Sequence, residues 1–308
     1  MARADRSLLP QVALTATALD RRAELRGDDG LLPRLLADPA TRVVRLRGDA
    51  LAVEERDGDL RLALGPPEPD DASRFAVYLG EAGGVAHVGV VANAPGEEDA
   101  SLRTLRQVGA HLDDVGAALF ATTLALANWH RTHPFCPRCG TQTVPAQSGW
   151  VRRCPRDDSE HYPRTDVAVI MAVVDDADRL LLAQNSGFRR GGMSVLAGFV
   201  EPGETLAAAV AREVDEEVGV AVTEVRYRGD QPWPFPSSLM VGFTARATTT
   251  SITLRDGEIA AARWFGRDEL VSAVADGSVV VPGRVSIARR LIELWFGGPL
   301  EAPEAALR

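Results

Sequence analysis

Cysteine is scarce in this chain. There are three in 308 residues, two of them in Cys136-x-x-Cys139, too few for a disulfide framework. They fit a reducing compartment and a metal site better. Long apolar runs are missing as well. Residues 117–127 are interrupted and 167–174 are short, against the roughly 18 apolar residues that a membrane helix needs. Pro10 and Gln11 break the apolar stretch that follows Arg3 and Arg6, so no secretory signal is expected and the chain reads as cytoplasmic. Excess positive charge is absent: Lys+Arg 34 stand against Asp+Glu 43, a net charge of −9. That disfavours bulk nucleic-acid binding, which needs a basic surface. A phosphate ligand would have to be met by local arginines and bound metal. Neither an internal repeat nor a low-complexity tract is present.

What is present is ordinary globular composition, 45% hydrophobic and 25% charged, at a length that suggests roughly two domains. Strands are expected over 43–47, 51–55, 60–64, 75–79 and 85–91, parted by turn signals such as Asp57-Gly58 and Gly65-Pro66-Pro67. Nothing there points to chemistry, and a structural or dimerisation role follows. Ser101 can cap a helix running to about residue 130, because Leu102, Leu105, Val108, Leu112, Val115 and Leu119 recur at three- and four-residue steps. Apolar periodicity then lapses over 134–163. Beyond it, strands at 167–174, 179–183, 195–200, 220–227, 239–247 and 262–265 mix with helices at 206–218, 267–275 and 285–296. That mixture implies a layered α/β domain.

Cys136-Pro137-Arg138-Cys139-Gly140 has the form of a metal knuckle, with glycine where a left-handed backbone is often needed. Cys154 supplies a third thiol. A structural zinc site wants four ligands, and the candidates for the fourth are Asp157, Asp158 and His161. Imidazole is the commoner partner of thiolates, which favours His161.

Residues 198–220 read G-x5-E-x7-R-E-U-x-E-E-x-G-U, with U aliphatic and all nine specified positions filled. Gly198 to Glu204 forms a loop, Thr205 caps a helix, and Gly219 ends it. Glu213, Glu216 and Glu217 stand at i, i+3 and i+4 on one face, where like charges repel by a few tenths of a kcal/mol per pair. Divalent cations would relieve that, and hard carboxylate oxygens select Mg²⁺ or Mn²⁺. Farther on, prolines alternate with aromatic residues in Gln231-Pro232-Trp233-Pro234-Phe235-Pro236-Ser237-Ser238. This reads as a stiff, extended segment lining a pocket. Trp233 and Phe235 offer flat faces there, and Gln231 and Ser238 offer polar groups.

The 198–220 segment resembles the Nudix box. The proline–aromatic segment is similar to the S-Q-P-W-P-F-P-x-S element of the NADH pyrophosphatase family of Nudix hydrolases, with Asp230 where that family has serine. Trp129-His130, the knuckle, His161-Tyr162-Pro163-Arg164 and the 287–295 helix extend the resemblance, while the missing fourth cysteine departs from it. It implies a Nudix α/β/α sandwich with a mixed sheet over 164–308. A zinc ribbon over 131–163 and a β-rich domain with its linking helix over 1–130 would precede it. The implied activity is hydrolysis of the pyrophosphate of NADH or NAD⁺ to nicotinamide mononucleotide and AMP, with removal of NAD caps from RNA as the same chemistry, by a homodimer. Glu213, Glu216, Glu217 and the distant Glu258 would hold metal with the Ala197 carbonyl, and Glu216 or Glu217 would take the proton of the attacking water. Arg212 would orient a glutamate, and Phe199 and Tyr162 would stack on the base. Two other readings compete. One is a Nudix hydrolase of ADP-ribose or a dinucleoside polyphosphate, which the proline–aromatic segment opposes. The other is a non-catalytic nucleotide-sensing or RNA-binding module, which the intact carboxylate set opposes.

Overall fold

A computed structural model of the chain describes residues 8–9, 12–15, 19–92, 100–255 and 257–303. Arg3, Arg6, Pro10 and Gln11 lie outside the described residues. The chain divides into two compact units. One comprises Leu14–Thr165 with Pro232–Ser238, and the other Met1–Ala13, Asp166–Gln231 and Leu239–Arg308. Among the described residues no helix is long and apolar enough to cross a membrane.

In the first unit, α1 (Leu31–Ala37) precedes β1 (Arg42–Arg47), β2 (Ala50–Arg56), β3 (Asp59–Leu62), β4 (Ala76–Ala82) and β5 (Val85–Ala92). They form a sheet in the order β3-β2-β1-β5-β4, in which β1 and β5 run parallel. The helix expected from Ser101 to residue 130 is broken. Residues Leu102–Thr104 form β6, which pairs with β2, and α2 (Leu105–Val108) is followed by a separate α3 (Asp114–Thr132). Thr104 and Asp113 are the caps, the Asp113 carboxylate accepting from the Gly116 N–H at 2.7 Å. Apolar spacing alone could not reveal that β2 has backbone groups for Leu102–Thr104 to satisfy. Residues 131–163 group with this unit and form a three-stranded antiparallel sheet from β7 (Val144–Ala146), β8 (Val151–Arg153) and β9 (Glu160–His161).

His130, near the end of α3, ties the ribbon to the helix. Its Nε2 donates to the Gly149 carbonyl at 2.8 Å, and its Nδ1 accepts from Arg152 at 2.8 Å. The ring must therefore be neutral. Burial, reinforced by the Arg152 charge and opposed by the Gly149 hydrogen bond, pushes its pKa down to about 4. The unfolded chain takes up this proton near pH 6.5, and the folded chain resists it until about pH 4. The contribution to stability is therefore complete above about pH 6.5 and is lost as the pH falls towards 4. Between pH 7 and 5 the wild type should lose on the order of 2 kcal/mol more stability than His130→Gln, measured by urea unfolding followed at Trp fluorescence. Equal losses in both proteins would refute this role.

The second unit is an α/β/α sandwich. Its sheet comprises β10 (Asp166–Val174), β11 (Leu180–Asn185), β12 (Leu196–Phe199), β13 (Val222–Trp233), β14 (Ser238–Ala247) and β15 (Ile259–Phe265). The order is β13-β14-β10-β11-β15, with β12 pairing β10. The period of two along β10 and β11 divides the core. Ile170, Ala172, Leu180 and Leu182 face one layer with α5 (Arg267–Ala275) and α6 (Ile287–Phe296). Val169, Met171, Val173, Leu181 and Ala183 face α4 (Leu206–Val218), which buries Ala209, Val210, Val214 and Val218. Each buried valine contributes about 2 kcal/mol, so the opposite face of α4 is free to carry charge.

Candidate active site

Thr205 caps α4 by accepting from the Ala208 N–H at 3.3 Å, and Gly219 ends it with φ +69°. Those ends fix the rotation of the helix and so the positions of Glu213, Glu216 and Glu217. Arg212 is the organising cation. Its Nε and Nη2 donate to both carboxylate oxygens of Glu204 at 2.8 and 2.9 Å, and its Nη1 donates to Glu213 and Glu216, each at 2.9 Å. Nη2 also reaches the Phe199 carbonyl at 2.9 Å. One guanidinium thus orients three carboxylates and the end of β12. Glu204 has this bidentate role, which the box reading left without an assignment.

Gly198 lies in β12 directly against Glu213. A Cβ built at Gly198 would stand 1.9 Å from the Glu213 carboxyl carbon and 2.1 Å from each of its oxygens. Glycine is required here for close approach, not for a turn. Burial raises the Glu213 pKa; the Arg212 hydrogen bond and charge oppose this, and the charges of Glu216 and Glu258 add to it. Glu258 is thereby placed in the electrostatic reach of Glu213, although 45 positions separate them in the chain. Glu217 is 4% exposed, and a carboxylate so buried keeps its charge only beside strong partners. The donor set is hard oxygen and buried in part, the chemistry that suits a divalent cation.

Trp233 ends β13 and Ser238 begins β14, with residues 234–237 forming the turn between them. Residues 231–233 are extended, as expected from the prolines, but 234–237 form a tight turn; the Phe235–Pro236 peptide is cis. Asn128 holds the turn, its Nδ2 donating to the Pro234 and Pro236 carbonyls at 3.1 and 3.3 Å. The Trp233 and Phe235 rings meet edge to face with centroids 4.9 Å apart. Arg106 lies over both, 3.9 Å from the Phe235 centroid and 5.0 Å from that of Trp233, a cation–π arrangement. Neither Asn128 nor Arg106 carries a signal in the sequence that would have marked it. Phe199 and Tyr162 are exposed, at 60% and 64%, and the Tyr162 hydroxyl donates to Glu160 at 2.9 Å.

Gln231 has a different task from the substrate contact expected of it. It is fully buried, its Nε2 donating to the Ala13 and Val285 carbonyls and its Oε1 accepting from the Ile287 N–H at 2.8 Å. Both amide hydrogens are spent on those carbonyls and the oxygen caps the start of α6, and the side chain is buried away from any ligand.

In the ribbon, Cys136, Cys139, Cys154 and Asp157 have ligand atoms all within 4.8 Å of one another. Cys139 Sγ lies 3.5 Å from Cys154 Sγ, and Cys136 Sγ 3.6 Å from Asp157 Oδ2. The edge of a tetrahedron with zinc–sulfur bonds of about 2.3 Å is about 3.8 Å, so the cluster has the size of a zinc site. His161 stands outside it, with Nε2 3.1 Å from Ser159 Oγ. The reason is a second knuckle. The Gly140 N–H donates to the Cys136 carbonyl at 2.9 Å and the Asp158 N–H to the Cys154 carbonyl at 3.0 Å. Gly140 and Asp158 both have left-handed φ, +71° and +57°. Each turn brings its fourth residue to the cluster, Cys139 in one and Asp157 in the other, while Asp158 supplies the backbone twist. Burial raises the Cys136 thiol, but hydrogen bonds from Ser159 and from the Arg138 and Cys139 backbone outweigh it and bring the pKa down to about 6. The thiolate, which is the metal-binding form, is thus favoured at Cys136, whereas burial pushes the Cys154 thiol up to about 11.

Three family models match successive stretches of the chain. They are an NADH pyrophosphatase-like rudimentary NUDIX domain over 40–129, an NADH pyrophosphatase zinc ribbon domain over 131–162, and a NUDIX domain over 164–282. A Mycobacterium bovis protein named NAD-capped RNA hydrolase NudC is 43% identical over 244 residues, spanning 75% of this chain and 76% of its own. Its namesake in Mycobacterium tuberculosis H37Rv is 42% identical over the same shares. The human NAD-capped RNA hydrolase NUDT12 is 40% identical over 197 residues, 60% of this chain and 43% of that one. The sandwich, the filled box and the carboxylate face of α4 define a Nudix hydrolase domain. Within that class, the chain belongs to the NADH pyrophosphatase family. The β-rich unit read as having no chemistry of its own matches a rudimentary copy of the Nudix domain.

Proposed function

We propose that the protein hydrolyses the pyrophosphate of NADH or NAD⁺ to nicotinamide mononucleotide and AMP. By the same step it removes NAD caps from RNA, leaving a 5′-monophosphate. The observation that carries this reading is the carboxylate face of α4, oriented by the Arg212 fork and closed by Gly198 against Glu213. A mere nucleotide binder has no use for such a face. The names of the relatives supply the substrate class.

Water adds to one phosphorus, the bond to the bridging oxygen breaks, and that oxygen leaves on the other phosphate. Glu213, Glu216, Glu217, Glu258 and the Ala197 carbonyl would hold Mg²⁺ or Mn²⁺, which would supply neutralisation of phosphate charge and a more acidic water. Glu217 or Glu216 accepts the proton of the attacking water. Arg212 keeps three of the glutamates in register. Phe199 and Tyr162 offer exposed rings to the bases. Trp233, Phe235 and Ser238 are offered as further substrate contacts, with Arg106 fixing the ring pair. A homodimer located in the cytoplasm completes the reading.

The substrate class is tested by chromatography of products from NADH, NAD⁺, ADP-ribose and NAD-capped RNA, each with Mg²⁺ or Mn²⁺. Nicotinamide mononucleotide and AMP, or a 5′-monophosphate RNA end, are the expected products. Turnover of ADP-ribose alone would keep the Nudix chemistry and overturn the role given to the Trp233–Ser238 turn.

We assign Cys136, Cys139, Cys154 and Asp157 as ligands of a structural zinc ion. Asp157→Ala should release zinc at a chelator concentration that leaves the wild type loaded, while His161→Ala keeps it, as read by metal analysis. The opposite pattern would return the fourth position to His161.

A further inference from the structure

The described arginines of the Nudix unit divide sharply. Most pair with a carboxylate, and Arg228 and Arg284 have partners as well. Arg189 and Arg190 are the exceptions: among the described residues no carboxylate, hydroxyl or carbonyl engages either, and both are exposed.

They sit side by side on the loop between β11 and β12, and that loop is held at both ends. The Ser186 N–H donates to the Glu258 carbonyl at 2.7 Å, and the Phe188 N–H to the Asn185 carbonyl at 2.8 Å. At the far end the Val280 N–H donates to the Gly191 carbonyl at 2.7 Å, and the Met193 N–H to the Val280 carbonyl at 2.9 Å. Gly191 takes φ +78° with the Ser278 carbonyl 3.0 Å from where a Cβ would be, so its conformation is fixed as well as permitted by glycine. The loop is thus pinned to the Glu258 backbone at Ser186, three positions before the pair, and to Val280 just after it, while among the described residues neither guanidinium has a partner.

Charge gives them a purpose. The carboxylates proposed to hold metal are Glu213, Glu216, Glu217 and Glu258, and Arg212 is committed to Glu204, Glu213 and Glu216. Divalent ions held there would serve the two phosphates of the pyrophosphate. The next phosphate of a capped RNA, beyond the adenosine, has no share in them and approaches a chain of net charge −9. Exposed arginines on a loop anchored to the Glu258 backbone meet that need without a generally basic surface.

We propose that Arg189 and Arg190 bind the first phosphodiesters of an RNA chain and so raise the selectivity of this site for capped RNA over the free dinucleotide. This rests on the diphosphatase reading above. The test compares wild type with Arg189→Gln/Arg190→Gln on NADH and on an NAD-capped oligoribonucleotide over a range of KCl. KM for capped RNA should rise about tenfold with kcat kept, and its logarithmic salt dependence should fall by about 1.4, for two single-strand phosphates. Both constants for NADH should stay within twofold. Parallel losses on both substrates would place the arginines on the pyrophosphate and overturn the proposal, as would no change on either. Fluorescence anisotropy with uncapped 5′-monophosphate RNA of the same sequence needs no turnover. Weaker binding by the double variant is expected there, and equal binding would contradict the proposal. Failure of the wild type to cleave either substrate would instead sink the diphosphatase reading, and anisotropy would still decide the role of the arginines.

Discussion

Gly198→Ala should leave the fold standing and lower turnover by about 10²-fold or more, the penalty typical of a reacting group displaced by about an ångström. The added methyl group would occupy the place of the Glu213 carboxylate, 1.9 Å from its carboxyl carbon. Glu213 must swing away, and the Arg212 fork that also holds Glu204 and Glu216 is disturbed with it. The metal concentration for half-maximal activity should rise together with the loss in kcat, while circular dichroism and the melting temperature change little. Normal kinetics in this variant would mean that Glu213 is free to move and that the approach of β12 to α4 has no catalytic importance.

Glu217→Gln should be the most damaging of the isosteric changes on α4. Loss of a metal-binding carboxylate that also serves as proton acceptor is expected to cost about 10³-fold in kcat, or about 4 kcal/mol of transition-state stabilisation. Stability should move the other way. Glu217 is buried beside Val214 and Val218, and an amide of the same shape removes a charge from that place. In the presence of a chelator the variant should melt no lower than the wild type, the trade expected where function maintains an unfavourable group. A lower melting temperature with activity retained would make Glu217 a structural residue.

The parts of the fold that the sequence disclosed are those governed by neighbours along the chain. The buried strand around 167–174 and the helix α4, bounded by Thr205 and Gly219, follow from local composition and capping. What it concealed depends on partners far away. Residues Leu102–Thr104 carry helical spacing but pair with β2. Gln231 is polar and lies next to a recognition segment, yet it caps α6 some 56 positions on. The alternating prolines suggested an extended strip, and beyond Trp233 Asn128 instead secures a turn. At the knuckles the chemical preference for imidazole points to His161, whereas the turn geometry repeated at Cys154 brings the residue three positions on, Asp157, beside the three sulfurs. The carboxylate face was legible because helical periodicity alone aligns Glu213, Glu216 and Glu217. The Gly198 contact was not, since only the folded sheet brings β12 against α4.

The most direct test is hydrolysis of NADH in ¹⁸O-labelled water with Mg²⁺ or Mn²⁺, followed by mass spectrometry of the products. Reduced nicotinamide mononucleotide and AMP should appear in equal amounts, with a single ¹⁸O in one of the two phosphates, and Glu217→Gln should slow the appearance of both by about 10³-fold. Release of nicotinamide with ADP-ribose, or intact NADH at the end of the incubation, would contradict pyrophosphate hydrolysis at this site.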